Sequence, residues 1–249
     1  MSRSSFATNP KHAARVAGLL YVTIAVLGMF SIGYVPSVVF TFGDAAANAQ
    51  SVLAHMGLFR LGLFADMLTI LCEVALTAML FALFKPVSHM LSLMATLARF
   101  GMIVVMAVNL VPYMAMLELV SGAAYAAAIP PNQQQALAML FLQMHEFGVY
   151  GWQIFFGAHL VVLGYLVAAS GYFPRALGML MMVGSFGYSL QAIEKFVLPG
   201  NQRLWTAVVG LLALVTIAEV AFALWLLIKG PDAEGWATRA SPEAVLARP

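Results

Sequence analysis

A chain of 249 residues that is 63% hydrophobic and 9% charged, with a mean hydropathy of +0.93, lacks the roughly one-quarter of charged residues that coat a soluble domain. A formal net charge of +2, with no basic run and no basic patch interleaved with aromatics, argues against nucleic acid as a partner. The single cysteine, Cys72, lies in an apolar stretch, so neither an intramolecular disulfide nor a thiolate metal cluster can form, and the sixteen methionines are scattered through apolar runs.

A membrane crossing takes about 20 apolar residues, and six such stretches occur in order. The first, residues 16–40, follows Arg3, Lys11 and Arg15 and could pass for a secretory signal with a cleavage site near Ala47-Asn48-Ala49. Its apolar run is too long for that, so it reads as an uncleaved span. Gly43-Asp44 ends it, and Asp44 is a candidate N-cap for a short surface helix over 45–55 with Gly57 as its stop. The second span, 61–84, ends at Lys85-Pro86, and the third covers 91–117. After the break at Ile129-Pro130-Pro131-Asn132, Asn132 is expected to cap a helix over 133–144 that continues into the fourth span, 151–169. A turn at 171–175 precedes the fifth span, 177–198, and Pro199-Gly200-Asn201 precedes the sixth, 204–228. Residues 230–249 are polar, with Pro and Gly, and read as a flexible, disordered tail. No internal repeat is evident, which gives inverted-repeat transporter architecture no support.

Lys and Arg counts set the expected orientation. Arg3, Lys11, Arg15, Lys85, Arg175, Lys229, Arg239 and Arg248 fall on one side of a six-span chain, and Arg60, Lys195 and Arg203 on the other. The expectation is therefore an all-α, polytopic membrane helix bundle with six transmembrane helices and short outer surface helices. Segment 1–15 would be cytoplasmic, 16–229 the membrane domain and 230–249 a cytoplasmic tail.

Function should be sought among the ionisable residues inside spans, since each costs about 2.5–3.5 kcal/mol to insert and normally faces the interior with a partner. They are Asp66, Glu73, Arg99, His159 and Glu219, accompanied by Asn109, Gln153, Tyr188 and Gln191. Glu73 lies thirteen residues before Pro86 and Arg99 thirteen after it. At about 1.5 Å per residue, two antiparallel helices turning there bring both side chains to one depth, roughly 20 Å in, so a Glu73–Arg99 ion pair is expected. His159, eleven residues before Ser170, and Glu219, ten before Lys229, reach a similar depth.

A second polar layer is expected toward the outside from Arg60, Glu118, His145, Glu146, Gln191, Glu194 and Lys195, with Asp66 and Gln153 between the layers. Asp66 and Glu73 are seven apart and share one helix face. Together the layers suggest a polar funnel opening outward, or simply a solvated rim of helix ends. His145 and His159 are fourteen apart, a spacing that suits two stacked haems, but no second histidine pair exists to complete the ligation. A zinc site fares little better without a close His-x-x-x-His pair, and no nucleotide-binding glycine loop, nucleophile elbow or lipidation signal occurs. No cofactor or bound metal is expected.

Several short segments carry a family resemblance: Gly43-Asp44-Ala45-Ala46-Ala47, Leu58-Phe59-Arg60-Leu61-Gly62 with Ala65-Asp66, and His145 with Gly148. Phe155-Phe156-Gly157-Ala158-His159-Leu160, Gly164-Tyr165-Leu166 and Ser170-Gly171-Tyr172-Phe173-Pro174-Arg175 with Leu177-Gly178 continue it. From Arg15 to Lys229 the chain resembles a bacterial multi-pass membrane family catalogued as domain of unknown function 4386. The resemblance implies an inner-membrane protein with no activity to carry over, and it favours Arg60, Asp66, His145 and His159 over Glu219. Three readings follow. The first is binding or transport of a small polar or amphipathic ligand at Arg60, Asp66, Glu73, Arg99, His145 and His159, with the bilayer as the other partner. The second is a structural or accessory membrane subunit whose buried charges serve helix packing. The third is an intramembrane enzyme, metal-dependent or using Glu73 or His159 as general base.

Overall fold

The computed structural model describes residues 9–122 and 124–241, with the backbone alone at Tyr125. Arg3 and Arg248, which entered the charge count, lie outside the described residues, as do 242–249 of the expected tail. The described elements run α1 (Pro10–Gly28), a π-helical turn (Met29–Tyr34), α2 (Val35–Val39), α3 (Ala45–Ala54), α4 (Met56–Phe84) and α5 (His89–Val120). A 3₁₀ turn (Ala124–Ala128), α6 (Pro131–Ser170), α7 (Arg175–Phe196), α8 (Gln202–Ile228) and α9 (Ala233–Ala240) complete them. No strand occurs among the described residues, and six helical stretches are long and apolar enough to cross a membrane, the first being Pro10–Val39. This is an all-α, multi-pass membrane protein. Large apolar side chains such as Met29, Leu71, Val108 and Ile217 are exposed on these helices, as expected where lipid rather than water surrounds them.

Helix ends differ from the span limits because turn and cap residues extend a helix beyond its apolar run. α1 starts at Pro10 rather than at residue 16, so 10–15 are helical. α6 starts at Pro131, whose missing N–H is no loss in a first turn, rather than after an Asn132 cap. Gln134 secures that start by donating from Nε2 to the carbonyls of Ala126 (2.6 Å) and Ile129 (2.8 Å). Asp44 does cap α3, accepting from Ala46 N and Ala47 N at 3.0 Å each. The helix stops at His55, before Gly57. Asp44→Ala should cost about 1 kcal/mol, read as faster amide exchange over Ala45–Ala54.

The π turn in the first span follows from Pro36. Proline in an α-helix has no N–H to give the carbonyl four residues back and its ring collides there. The chain widens ahead of it, and the Val35 N–H bonds to Phe30 O, five residues back.

The described chain divides into two compact units. One comprises residues up to 22, 73–102 and those from 152 on; the other comprises 23–72 and 103–151. In the second, Phe40, Phe59 and Tyr113 form an aromatic triangle with centroids 5.3–5.4 Å apart, packed with Val35, Val39, Val52, Leu63 and Leu142. A Cβ at Gly62 would lie 3.0 Å from Val35 Cγ1, so α4 passes close to α2. In the first, Phe84 lies 6.2 Å from Tyr172, 5.5 Å from Phe173 and 6.4 Å from Phe222. Glycines let the helices of this unit touch: Gly164 against Gly178, Gly184 against Val215 and Gly18 against Leu227.

The expectation of a disordered segment from residue 230 is corrected up to Ser241. Asp232 caps α9 by accepting from Gly235 N at 2.8 Å. Trp236 Nε1 donates to Leu83 O at 3.2 Å, and an Arg239 Nη2 proton goes to Ala169 O at 3.0 Å. A low-hydrophobicity sequence is ordered here by directed hydrogen bonds, Asp232 N to Tyr172 O among them, rather than by its composition.

Candidate functional site

Arg99, on α5 in the first unit, is 1% exposed and is among the largest fully buried side chains. Its Nε donates to Glu73 Oε2 on α4 at 2.8 Å, and its Nη2 reaches the same oxygen at 2.6 Å. The ion pair expected from depth matching is present. Nη1 donates both to His159 Nε2 on α6 (2.9 Å) and to the Tyr21 hydroxyl on α1 (3.3 Å). A guanidinium has five N–H groups and no acceptor, and these contacts occupy four of them.

The histidine's protonation pattern follows from its neighbours. His159 Nδ1 lies 2.8 Å from the carbonyl of Ala95, which can only accept, while the Arg99 N–H can only donate to Nε2. His159 is therefore the neutral Nδ1–H tautomer, locked by a backbone acceptor on one side and a cation on the other. Aromatic rings close the remaining sides of the cation. Arg99 Cζ lies 5.2 Å from the Tyr21 ring centroid and 5.7 Å from that of Phe156, within cation–π range. Phe156 stacks on His159 at 6.1 Å and 11°.

Glu219 on α8 lies within electrostatic range of Arg99 and Tyr21 but makes its hydrogen bond elsewhere, accepting from the Tyr188 hydroxyl at 3.4 Å. Of the four residues expected in the mid-membrane layer, three are in direct contact and the fourth approaches through its field alone. A cavity of about 10 Å³ adjoins His159, room for a single water at most. Its hydroxyl groups are already engaged: Thr77 with Glu73 O, Ser92 with Phe81 O and Thr96 with Ser92 O. Among the described residues no three His, Cys, Asp or Glu come together as a metal-ligand set, so the metal-dependent reading gains nothing here.

Arg60, Asp66 and His145 belong to the second unit. Arg60 is exposed, and Asp66 is half-buried beside the Ser31 hydroxyl. His145 Nδ1 donates to Asn109 O at 2.7 Å while Asn109 Nδ2 donates back to His145 O at 3.0 Å. The imidazole lies on the Tyr113 ring with centroids 3.4 Å apart at 12°, and Asp66 and Glu146 are both within electrostatic range of Tyr113. The reciprocal bond depends on Gly148: a Cβ there would collide with Asn109 Oδ1 and lie 2.9 Å from its Nδ2. Gly148→Ala should push Asn109 away and cost about 1–3 kcal/mol for the polar groups left unpaired, measured by unfolding in mixed micelles.

Of the other residues expected toward the outer face, Glu118 and Lys195 are exposed, Gln153 and Gln191 are half-buried, and Glu194 accepts from Gly200 N at 3.2 Å. Tyr21 and Phe156 were not singled out from sequence. For Tyr21 a signal existed, since it stands ten residues beyond Lys11, and a count from that basic end gives about the same 15 Å depth as His159 and Glu219. Phe156 stood in the Phe155-Phe156-Gly157-Ala158-His159-Leu160 segment that carries the resemblance, three residues before His159, but as one more aromatic in a span it resembled lipid-facing filler.

A family model described as "Domain of unknown function (DUF4386)" matches residues 16–230, and the chain belongs to that family. Over 77 residues it is 40% identical to a protein of Archaeoglobus fulgidus described as "Uncharacterized protein". The aligned stretch is 31% of this chain and spans 43% of the archaeal one. No solved structure matches.

Proposed function

We propose that this DUF4386 member is a structural or accessory protein of the bacterial inner membrane, with both ends cytoplasmic, whose buried charges hold its helices in register. The observation that carries the reading is the near-complete engagement of Arg99. Its charge and four of its N–H groups are taken up by Glu73, His159 and Tyr21, its flanks by aromatic rings, and the cavity beside its partner His159 admits no more than one water. With four of its five N–H groups committed, this node leaves a solute a single donor to compete for. The test is Glu73→Leu combined with Arg99→Leu, which removes both charges and keeps apolar bulk. On this reading the double variant reaches the membrane at wild-type level and complements a deletion strain. A well-folded double variant that fails to complement would contradict it.

A second reading, binding or transport of a small polar or amphipathic ligand at Glu73, Arg99 and His159 of the first unit, draws support from a different observation. In that unit the buried oxygens of Gln153 and Gln191 have no hydrogen-bond partner, and such groups normally find one. Under this reading a screen of small polar solutes finds thermal stabilisation that His159→Ala or Arg99→Ala abolishes. The orientation rests on Lys11, Arg15, Lys85, Arg175, Lys229 and Arg239 standing at one set of helix ends, against Arg60, Lys195 and Arg203 at the other. In a Cys72→Ala background, Lys195→Cys should react with an impermeant maleimide from outside intact spheroplasts and Lys85→Cys only after lysis.

A further inference from the structure

Beyond the Arg99 node, the first unit carries an open crevice of about 370 Å³ where α1 begins and α8 ends. Its volume is within the range of pockets that take small ligands. Lys11, in the first turn of α1, and Lys229, which closes the C-terminus of α8, line it together with Tyr172 and Trp225. Its walls are fixed by backbone bonds. Gly230, at φ +68°, turns the chain so that Trp225 Nε1 donates to Gly230 O at 3.2 Å, and Asp232 N donates to Tyr172 O at 3.1 Å. Gly230 itself packs against the α1 backbone at Lys11, with 3.7 Å from a hypothetical Cβ to the Lys11 Cα. Asp232, the crevice's acidic residue, commits Oδ2 to capping α9 through Gly235 N. Lys229 Nζ sits 4.3 Å from the Trp225 ring centroid, which holds that ammonium at the crevice wall.

We propose that this crevice binds the phosphate headgroup of an anionic phospholipid. Two lysines against one aspartate give the site a net positive charge. It lies where two spans end, the level at which headgroups stand, and amphipathic Trp and Tyr rings favour that interface. Lysine stems can follow the apolar wall while their ammonium groups meet the phosphate, and anionic leaflets supply that phosphate at high local concentration. The chemistry is recognition of a phosphate by two ammonium groups beside an indole; a soluble phosphate shares it but lacks the acyl chains that deliver a lipid to this level.

The experiment titrates the purified full chain, in neutral detergent, with dioleoyl phosphatidylglycerol, dioleoyl phosphatidylcholine or inorganic phosphate, and follows the unfolding midpoint and the bound species by native mass spectrometry. Phosphatidylglycerol should bind saturably and raise the midpoint, with no such effect from the other two. Lys11→Gln with Lys229→Gln should weaken its binding about thirtyfold, while Lys11→Arg with Lys229→Arg retains it and Arg203→Gln, at the start of α8, leaves it unchanged. Equal binding of both lipids, unaltered affinity in the double glutamine variant, or full stabilisation by inorganic phosphate alone would overturn the proposal.

Discussion

Arg99→Met alone should destabilise the protein by about 3–5 kcal/mol, the range for breaking a buried ion pair by removing one partner. The methionine fills most of the volume, so the cost is electrical rather than steric. It strands the Glu73 carboxylate, 4% exposed, and takes the donor from His159 Nε2 and from the Tyr21 hydroxyl. Glu73→Leu alone leaves a guanidinium held only by neutral partners and should cost a similar amount. Combining it with Arg99→Met should recover most of either loss, leaving about 1–3 kcal/mol for the unsatisfied His159 acceptor. Arg99→Lys should not rescue, because one ammonium cannot reproduce two N–H contacts on a single carboxylate oxygen together with those to His159 and Tyr21. Reversible unfolding in mixed micelles gives each value, and the coupling between the two positions is the quantity of interest. Additive losses would mean that the pair is not coupled.

Gly178→Val should cost about 3 kcal/mol or more, the upper end for overpacking. A Cβ on Gly178 would stand 2.5 Å from Ala168 N as well as against Gly164 O, and one on Gly164 would stand 2.6 Å from Gly178 O. These are backbone atoms of helices, which have no rotamer to retreat into, so α6 and α7 must part. Apolar spans gain little from burial against each other when lipid is equally apolar; close van der Waals packing of small residues is what associates them. Opening this crossing therefore forfeits contact along its length. Gly210 in α8 is the internal control, since a Cβ there would meet nothing within 4 Å. Gly210→Ala should be neutral or stabilising by up to about 1 kcal/mol. Unfolding midpoints of the two variants measured side by side separate helix propensity from helix contact.

The parts of this structure that depend on distance along a helix were legible in the sequence. Counting from Pro86 found the Glu73–Arg99 pair, and the same arithmetic brought His159 to it, because rise per residue is nearly constant and a buried arginine needs a carboxylate. It did not decide which way Glu219 turns, and its bond goes to Tyr188. Depth is one coordinate; rotation about the helix axis is another, set by packing. The π turn ahead of Pro36 and the order of α9 were missed for a related reason. Hydropathy averages over a window, whereas a single missing N–H at Pro36 or a single cap at Asp232 acts at one position. The Asn109–His145 pair was hidden because it depends on what Gly148 lacks, a methyl group in the path of the Asn109 amide.

The closed state of the Arg99 node is tested most directly by solid-state ¹⁵N NMR of His159 in lipid bilayers, assigned with His159→Gln. The expected result is a neutral ring protonated at Nδ1, with the unprotonated Nε2 shifted by its hydrogen bond from Arg99 and unaffected by Arg203→Gln. An imidazolium, or a ring protonated at Nε2, would mean that Arg99 does not donate to it, and this node would not be the one that holds the helices together.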